Sequence, residues 1–193
     1  DLVIAGGTEV MSYSTAAPPA MLDAGNMRLR GRHPQVLPGL CADAIASLEG
    51  IGREALDELA FSSQQRADAA IREGRFDKSL VPVHREDGSL ALDREEYPRP
   101  QTTLEGLAAL KASFGPLAAA PVEPGGPTFG ELVGQVYPDL VIEHVHHAGN
   151  SSGVVDGAAA LLLASPDYAA RNGLKARARV VATANIGDCP TLM

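Results

Sequence analysis

The residues whose types could do chemistry gather near one stretch. Residues 146–160 read His-His-Ala-Gly-Asn-Ser-Ser-Gly-Val-Val-Asp-Gly-Ala-Ala-Ala. Small residues let a backbone approach a ligand closely, and glycine permits turns that other residues resist. Asn150 and Asp156 are short polar residues of the kind that bond nearby amides in turns. The stretch runs directly into Leu161-Leu162-Leu163-Ala164, so it reads as a tight loop followed by a buried element. His144, His146 and His147 invite a metal reading, because on a strand His144 and His146 would face one way. No third ligand of suitable spacing accompanies them, and no metal is assigned. Cys41 and Cys189 show neither CxxC nor other metal spacing, and read as small reduced thiols, buried or in loops.

Elements must hold these residues in place. Residues 2–5 form an apolar β-type run that reaches Gly6-Gly7, a strand ending at a tight turn. Residues 13–39, rich in Pro, Gly, Ala and Met, read as a long ordered loop with little regular structure. Residues 40–49 fit a short amphipathic helix. Between Gly52 and Glu73, apolar and small residues recur at three and four, predicting a helix stopped by Gly74. Leu80 to Val83 is strand-like, and Asp87-Gly88 can return the chain to Leu90–Leu92 as a hairpin. Thr102 and Thr103 precede a short capped helix over 104–110. Residues 115–139 read as an inserted Pro/Gly-rich loop, and Leu140 to Val145 as a strand. A buried helix or strand is expected over 157–163, a helix over 166–172 and a strand over 176–184. Strands alternating with helices argue an α/β fold.

The chain has 193 residues, enough for one large domain or two small ones with a sizeable core. Aromatics are 4% and Trp is absent, so that core must rely on Ala, Leu, Val and Ile. Mean hydropathy is −0.01, as in soluble globular proteins. A formal charge of −8 argues against a general nucleic-acid binder, yet leaves room for a local basic patch that holds a phosphorylated ligand. No apolar run reaches the length of a membrane span. Reduced thiols and the lack of a signal-like leader make the cytoplasm the default compartment. Both ends read as cut: a strand is entered without a leader, and the chain stops in a loop.

Several motifs in order resemble the thiolases, the acyl-CoA acyltransferases. Residues 148–160 resemble the Ala-Gly-Asn-x-Ser-Gly-x-x-Asp-Gly-Ala-Ala signature of that family. Ala5-Gly6-Gly7-Thr8-Glu9-Val10-Met11-Ser12 resembles its Ala-Gly-Gly-x-Glu-x-Met-Ser segment, and Arg53 to Ala60, with Ser63-Gln64 and Arg66-Ala67 after it, its Arg-Glu-x-x-Asp-x-Phe-Ala helix. Gly74-Arg75-Phe76, Val81-Pro82-Val83, Asp93-Arg94-Glu95, Arg99 and Leu104 to Phe114 follow in family order. Each match alone is weak; together they are specific. The resemblance implies a layered α/β core with an inserted loop domain. Residues 1–12 would end an N-terminal core strand region, 13–144 would form a loop domain covering coenzyme A, 145–173 would return to the core, and 174–193 would begin a C-terminal domain.

The family reaction is attack by a cysteine thiolate on a 3-ketoacyl-CoA, release of acetyl-CoA, and passage of the acyl group to free CoA. The family's nucleophile motif and its Gly-His-Pro, Asn-Glu-Ala-Phe and Cys-x-Gly-Gly motifs are not in these residues, so no catalytic residue is assigned. What the resemblance implies here is ligand binding. Arg99 matches a basic residue near the phosphate end of CoA, a role suited to its fork of donors; beside Glu95 and Glu96 it could equally be a surface ion pair. Ser152 matches a contact of the pantetheine arm, Ala148 and Gly149 line the same channel, and Leu110 and Phe114 match apolar wall positions. CoA and acyl-CoA are substrates in this reading, with no permanently bound cofactor. The partner implied is another copy, as a homodimer or homotetramer, with a multienzyme β-oxidation complex as a wider assembly. The histidine at 147, where the family usually has Thr, the insertion at 115–144 and the Leu40-Cys41-Ala42-Asp43 variant are departures. The competing function is a thiolase-like protein that holds acyl-CoA or lipid, or completes an active subunit, without chemistry of its own.

Overall fold

The computed structural model describes residues 1–14 and 24–193. The elements in order are β1 (Leu2–Val10), α1 (Met11–Ser14), α2 (Met27–Arg32), α3 (Pro38–Glu49), α4 (Arg53–Arg72), β2 (Val83–His84), β3 (Leu90–Leu92), α5 (Leu104–Ala108), α6 (Gly115–Ala118), α7 (Phe129–Gly134), β4 (Asp156–Ala164) and α8 (Pro166–Arg171). They fall into two compact units, one of residues 1–20 and 154–188, the other of residues 21–153 and 189–193.

In the first unit β1 pairs antiparallel with β4, in register from Leu2 opposite Ala164 to Val10 opposite Asp156. The strand expected to end at Gly6-Gly7 continues through both glycines. The partner strand explains this. Alanines stand opposite, and a Cβ on Gly6 would lie 2.6 Å from the Ala159 carbonyl oxygen, so only glycine allows so close a ladder. Asp156 then accepts from the Ser12 amide at 2.8 Å and its hydroxyl at 2.7 Å, which fastens the start of α1. These bonds, the amide first, hold the Asp156 carboxyl below its ordinary value. Ser165 caps α8 by accepting from the Tyr168 amide. The strand expected over 176–184 is not formed, since no third strand joins the β1–β4 sheet among the described residues.

The second unit has the main apolar core. Val36, Leu40, Cys41 and Ala44, on and just before α3, meet Phe129, Leu132 and Val133 of α7. The expected loop over 115–139 is therefore half of a core. Its helix begins with a capping box: the Glu131 amide donates to Thr128 Oγ1 at 3.1 Å, and the Thr128 amide to Glu131 Oε2 at 2.7 Å. The irregular stretch expected over 13–39 contains α2, capped by Asn26, whose Oδ1 accepts from the Leu29 amide at 3.0 Å; residues 15–23 lie outside the described residues. α3, α4, α5 and the β2–β3 hairpin stand close to where the sequence puts them. Thr103 caps α5 through the Gly106 amide at 3.0 Å, and Gly74 follows α4 at φ +64.

Residues 140–145 are not the strand that their alternation suggests. The Leu140 amide donates to the Tyr137 carbonyl, and amides further along go to side chains instead of a ladder. The Glu143 amide donates to Ser47 Oγ at 2.8 Å, and the Val145 and His146 amides to Asp43 Oδ1 at 3.1 and 3.0 Å. α3 thus supplies the acceptors that a neighbouring strand would have offered.

Candidate functional site

The first turns of α4 carry an ion pair. Arg53 Nε donates to Asp57 Oδ2 at 2.8 Å, the i,i+4 spacing that places both on one helix face. Arg53 then reaches across to α5. Its Nη2 donates to the carbonyls of Leu107 at 2.6 Å and Leu110 at 2.9 Å. A cation at a helix C-terminus satisfies carbonyls that the helix leaves open.

Asp57 holds a second segment. Its Oδ1 accepts from His147 Nε2 at 2.8 Å and from Asn150 Nδ2 at 3.0 Å. Asn150 Oδ1 in turn accepts from the His147 amide at 2.8 Å, and the Gly149 amide donates to His147 Nδ1 at 3.0 Å. An imidazole that accepts at Nδ1 and faces a carboxylate at Nε2 is the neutral tautomer with its proton on Nε2. Burial pushes the Asp57 carboxyl up; the hydrogen bonds from Arg53 and His147, the Arg53 charge and the Asn150 amide outweigh it and hold it below the ordinary carboxylate value.

These contacts bring two chain segments to one cavity of about 260 Å³. Leu107 and Leu110 form part of one wall, Ala148 and Gly149 part of the other, and Tyr97 and Arg99 also border it. The walls meet closely: a Cβ on Gly149 would lie 2.6 Å from Leu107 Cδ2 and 2.8 Å from Leu110 Cδ1. Gly153 is equally constrained, because the Tyr97 ring fills the space a Cβ would need. Arg99 stands over that ring, 5.4 Å from its centroid. The alternative of an ion pair with Glu95 or Glu96 is not made; Glu95 Oε1 accepts from the amides of Glu96 and Tyr97 instead. The Arg99 amide donates to Gln64 Oε1 at 2.7 Å, which ties this segment to α4.

Four of the residues singled out in the sequence, Arg99, Leu110, Ala148 and Gly149, thus border one cavity. Ser152 does not line it; its neighbour Ser151 does. Phe114 also lies outside the lining, with its ring against Gly39 of α3. Sequence reasoning missed Gln64, Gln101 and Thr102 in the lining, and the Arg53–Asp57 pair behind it. The pair left a signal in its spacing. Gln64 left one in the Ser63-Gln64 match, but a polar residue on a helix reads as solvated and not as part of a cavity.

The histidine rings turn to carboxylates. His144 Nδ1 lies 2.8 Å from Asp43 Oδ2, and His146 Nδ1 2.7 Å from Asp43 Oδ1. Asp43 is fully buried and spends both oxygens on this one segment. Cys41 is buried on α3, its thiol against the carbonyls of Val36 and Thr191. Burial pushes it up to about 11, so it is a thiol at neutral pH and a poor nucleophile.

Residues 1–120 match the family model described as the thiolase N-terminal domain. The chain belongs to the thiolase family. This thiolase chain is 39% identical over 155 residues to a beta-ketoadipyl-CoA thiolase of Acinetobacter baylyi, an alignment that covers 79% of this chain and 32% of that protein. Its fold is similar to the dimeric peroxisomal thiolase of Saccharomyces cerevisiae, with a TM-score of 0.63 and 27% identity over 90% of this chain and 39% of that one. A human mitochondrial 3-ketoacyl-CoA thiolase in complex with CoA is similar at a TM-score of 0.61 and 28% identity, over 89% of this chain and 40% of that one. The chain therefore spans about a third to two fifths of the length of these relatives.

Proposed function

We propose that this chain supplies the coenzyme A-binding part of a thiolase that moves an acyl group between 3-ketoacyl-CoA and CoA, by thiolytic cleavage that releases acetyl-CoA or by the reverse condensation. The observation that carries the reading is the cavity in which Arg99 and the Ala148–Gly149 turn come together with Leu107 and Leu110. CoA is long, apolar in part and polyanionic at one end. A cleft with close backbone on one side, leucines on the other and a guanidinium at its border suits such a molecule. The similar human thiolase is described in complex with CoA, which adds weight.

In this reading the chain does not supply the nucleophile. Cys41 is buried with a raised pKa, and neither cysteine borders the cavity. CoA and acyl-CoA are substrates, and no permanently bound cofactor is involved. A cytoplasmic homodimer or homotetramer acting in fatty-acid β-oxidation belongs to the same proposal; the dimeric description of the yeast relative supports the assembly.

The test uses the native polypeptide that contains this sequence. Titration with free CoA is expected to saturate, and a thiolysis assay with acetoacetyl-CoA and CoA to release acetyl-CoA. CoA binding without acyl transfer would select the non-catalytic, thiolase-like alternative. No CoA binding would remove the reading.

A further inference from the structure

The two walls of the cavity come from segments far apart in sequence, yet both hang from a single ion pair on α4. Arg53 holds the Leu107–Leu110 wall by its carbonyls. Asp57 holds the Ala148–Gly149 wall, and it does so through His147 and Asn150. His147 is the side chain through which the turn is joined on both of its sides. Nε2 points to Asp57, Nδ1 takes the Gly149 amide, and the ring is 1% exposed. The ring also packs against the turn, since a Cβ on Gly149 would lie 2.9 Å from His147 Cε1.

The geometry points to His147 as a positioning residue of the ligand cavity, which sets the Ala148–Gly149 wall against the Leu107–Leu110 wall by fixing it to the Asp57 carboxylate that Arg53 also binds. His147 touches no ligand in this scheme and does not border the cavity. It acts through Gly149, whose backbone does. Of its two bonds, the one to Asp57 matters more. It is charge-assisted and buried, and its loss strips a partner from a carboxylate that water does not readily reach. The Gly149 amide is only partly buried, so water can replace His147 there.

That ranking gives a test, which rests on the coenzyme A reading for its ligand. Asn places an acceptor near Nδ1 but cannot reach Asp57, whereas Gln places a donor near Nε2. Free CoA is titrated into the native polypeptide and its His147→Asn and His147→Gln variants, with the fold of each checked by its melting temperature. His147→Asn is expected to bind about tenfold more weakly, and His147→Gln to stay within about threefold of the parent. Equal loss in both variants, or no loss in either, would overturn the proposal. A purely structural role would lower the melting temperature of His147→Asn and leave its CoA constant unchanged well below the melt. If neither variant folds, hydrogen exchange of the parent decides. A His147 Nε2 proton held by Asp57 exchanges slowly in the NMR spectrum, and an Nε2 proton lost to rapid exchange refutes the arrangement. A parent that binds no CoA fails the proposed function instead, and the His147 Nε2 proton still reads the geometry by itself.

Discussion

Arg99 carries a formal positive charge at the border of the cavity, stacks on Tyr97 and is exposed. An exposed cation meeting a phosphate is worth a modest amount because solvent screens it. In the proposed site Arg99 meets bound phosphate and not reacting carbon, so Arg99→Ala in the native polypeptide should raise KM for CoA by about threefold to tenfold and lower kcat less. An unchanged KM would take Arg99 out of the site. Asp57 offers a pH readout. Its pKa is lower in the fold than the ordinary 3.8, so its contribution to stability is fully present above that value and is lost as pH falls through the folded value. The urea midpoint should therefore fall more steeply below about pH 4 in the parent than in Asp57→Asn, which cannot titrate. Cys41, with its thiol pushed up to about 11 and buried, should resist iodoacetamide at neutral pH until denaturant is added; peptide mass mapping checks this.

Among the elements, α7 is the one whose presence most changes the picture. Its capping box fixes the start of a helix that brings Phe129, Leu132 and Val133 into the core. Thr128→Ala should cost about 1 kcal/mol, read as a lower denaturant midpoint with an unchanged slope. The box is legible: Thr128-Phe129-Gly130-Glu131 has the required spacing, but Pro and Gly on both sides are turn signals that favour a loop. Elements with a strong local signal stand where the sequence puts them. α4 has its periodicity, α5 its Thr103 cap and the hairpin its Asp87-Gly88 turn. Elements fixed by distant partners were hidden. Gly6-Gly7 reads as a turn until β4 lies beside it, and 140–145 reads as a strand until Asp43 and Ser47 take its amides. The same holds for the cavity. Arg99 and the Ala-Gly turn carry motif information, whereas the approach of Gln64 to the cavity and the link from Asp57 to His147 depend on packing that spacing does not encode.

For the molecule as a whole, the two units differ in what they bury. The β1–β4 ribbon is exposed along both strands, with Ile4 at 75% and Leu161 at 68%. A two-stranded ribbon is marginal in water, whereas the α3–α7 core buries its side chains. Amides of β1 and β4 in the isolated 193-residue chain should therefore exchange well before those of α3 and α7, and its melt should be broad. A single sharp transition with uniform protection would contradict this.

The register of the ribbon has a further consequence for how such a chain can vary. Leu2 meets Ala164, so everything between β1 and β4 is, for those strands, one closed loop. In the unfolded chain the entropy of closing a loop rises only as the logarithm of its length. Adding a stretch the size of 115–139 therefore changes the pairing of the ribbon by only about 0.2 kcal/mol. What limits growth inside the loop is whether the added residues can bury themselves. α7 shows that they do, with Phe129, Leu132 and Val133 in the core.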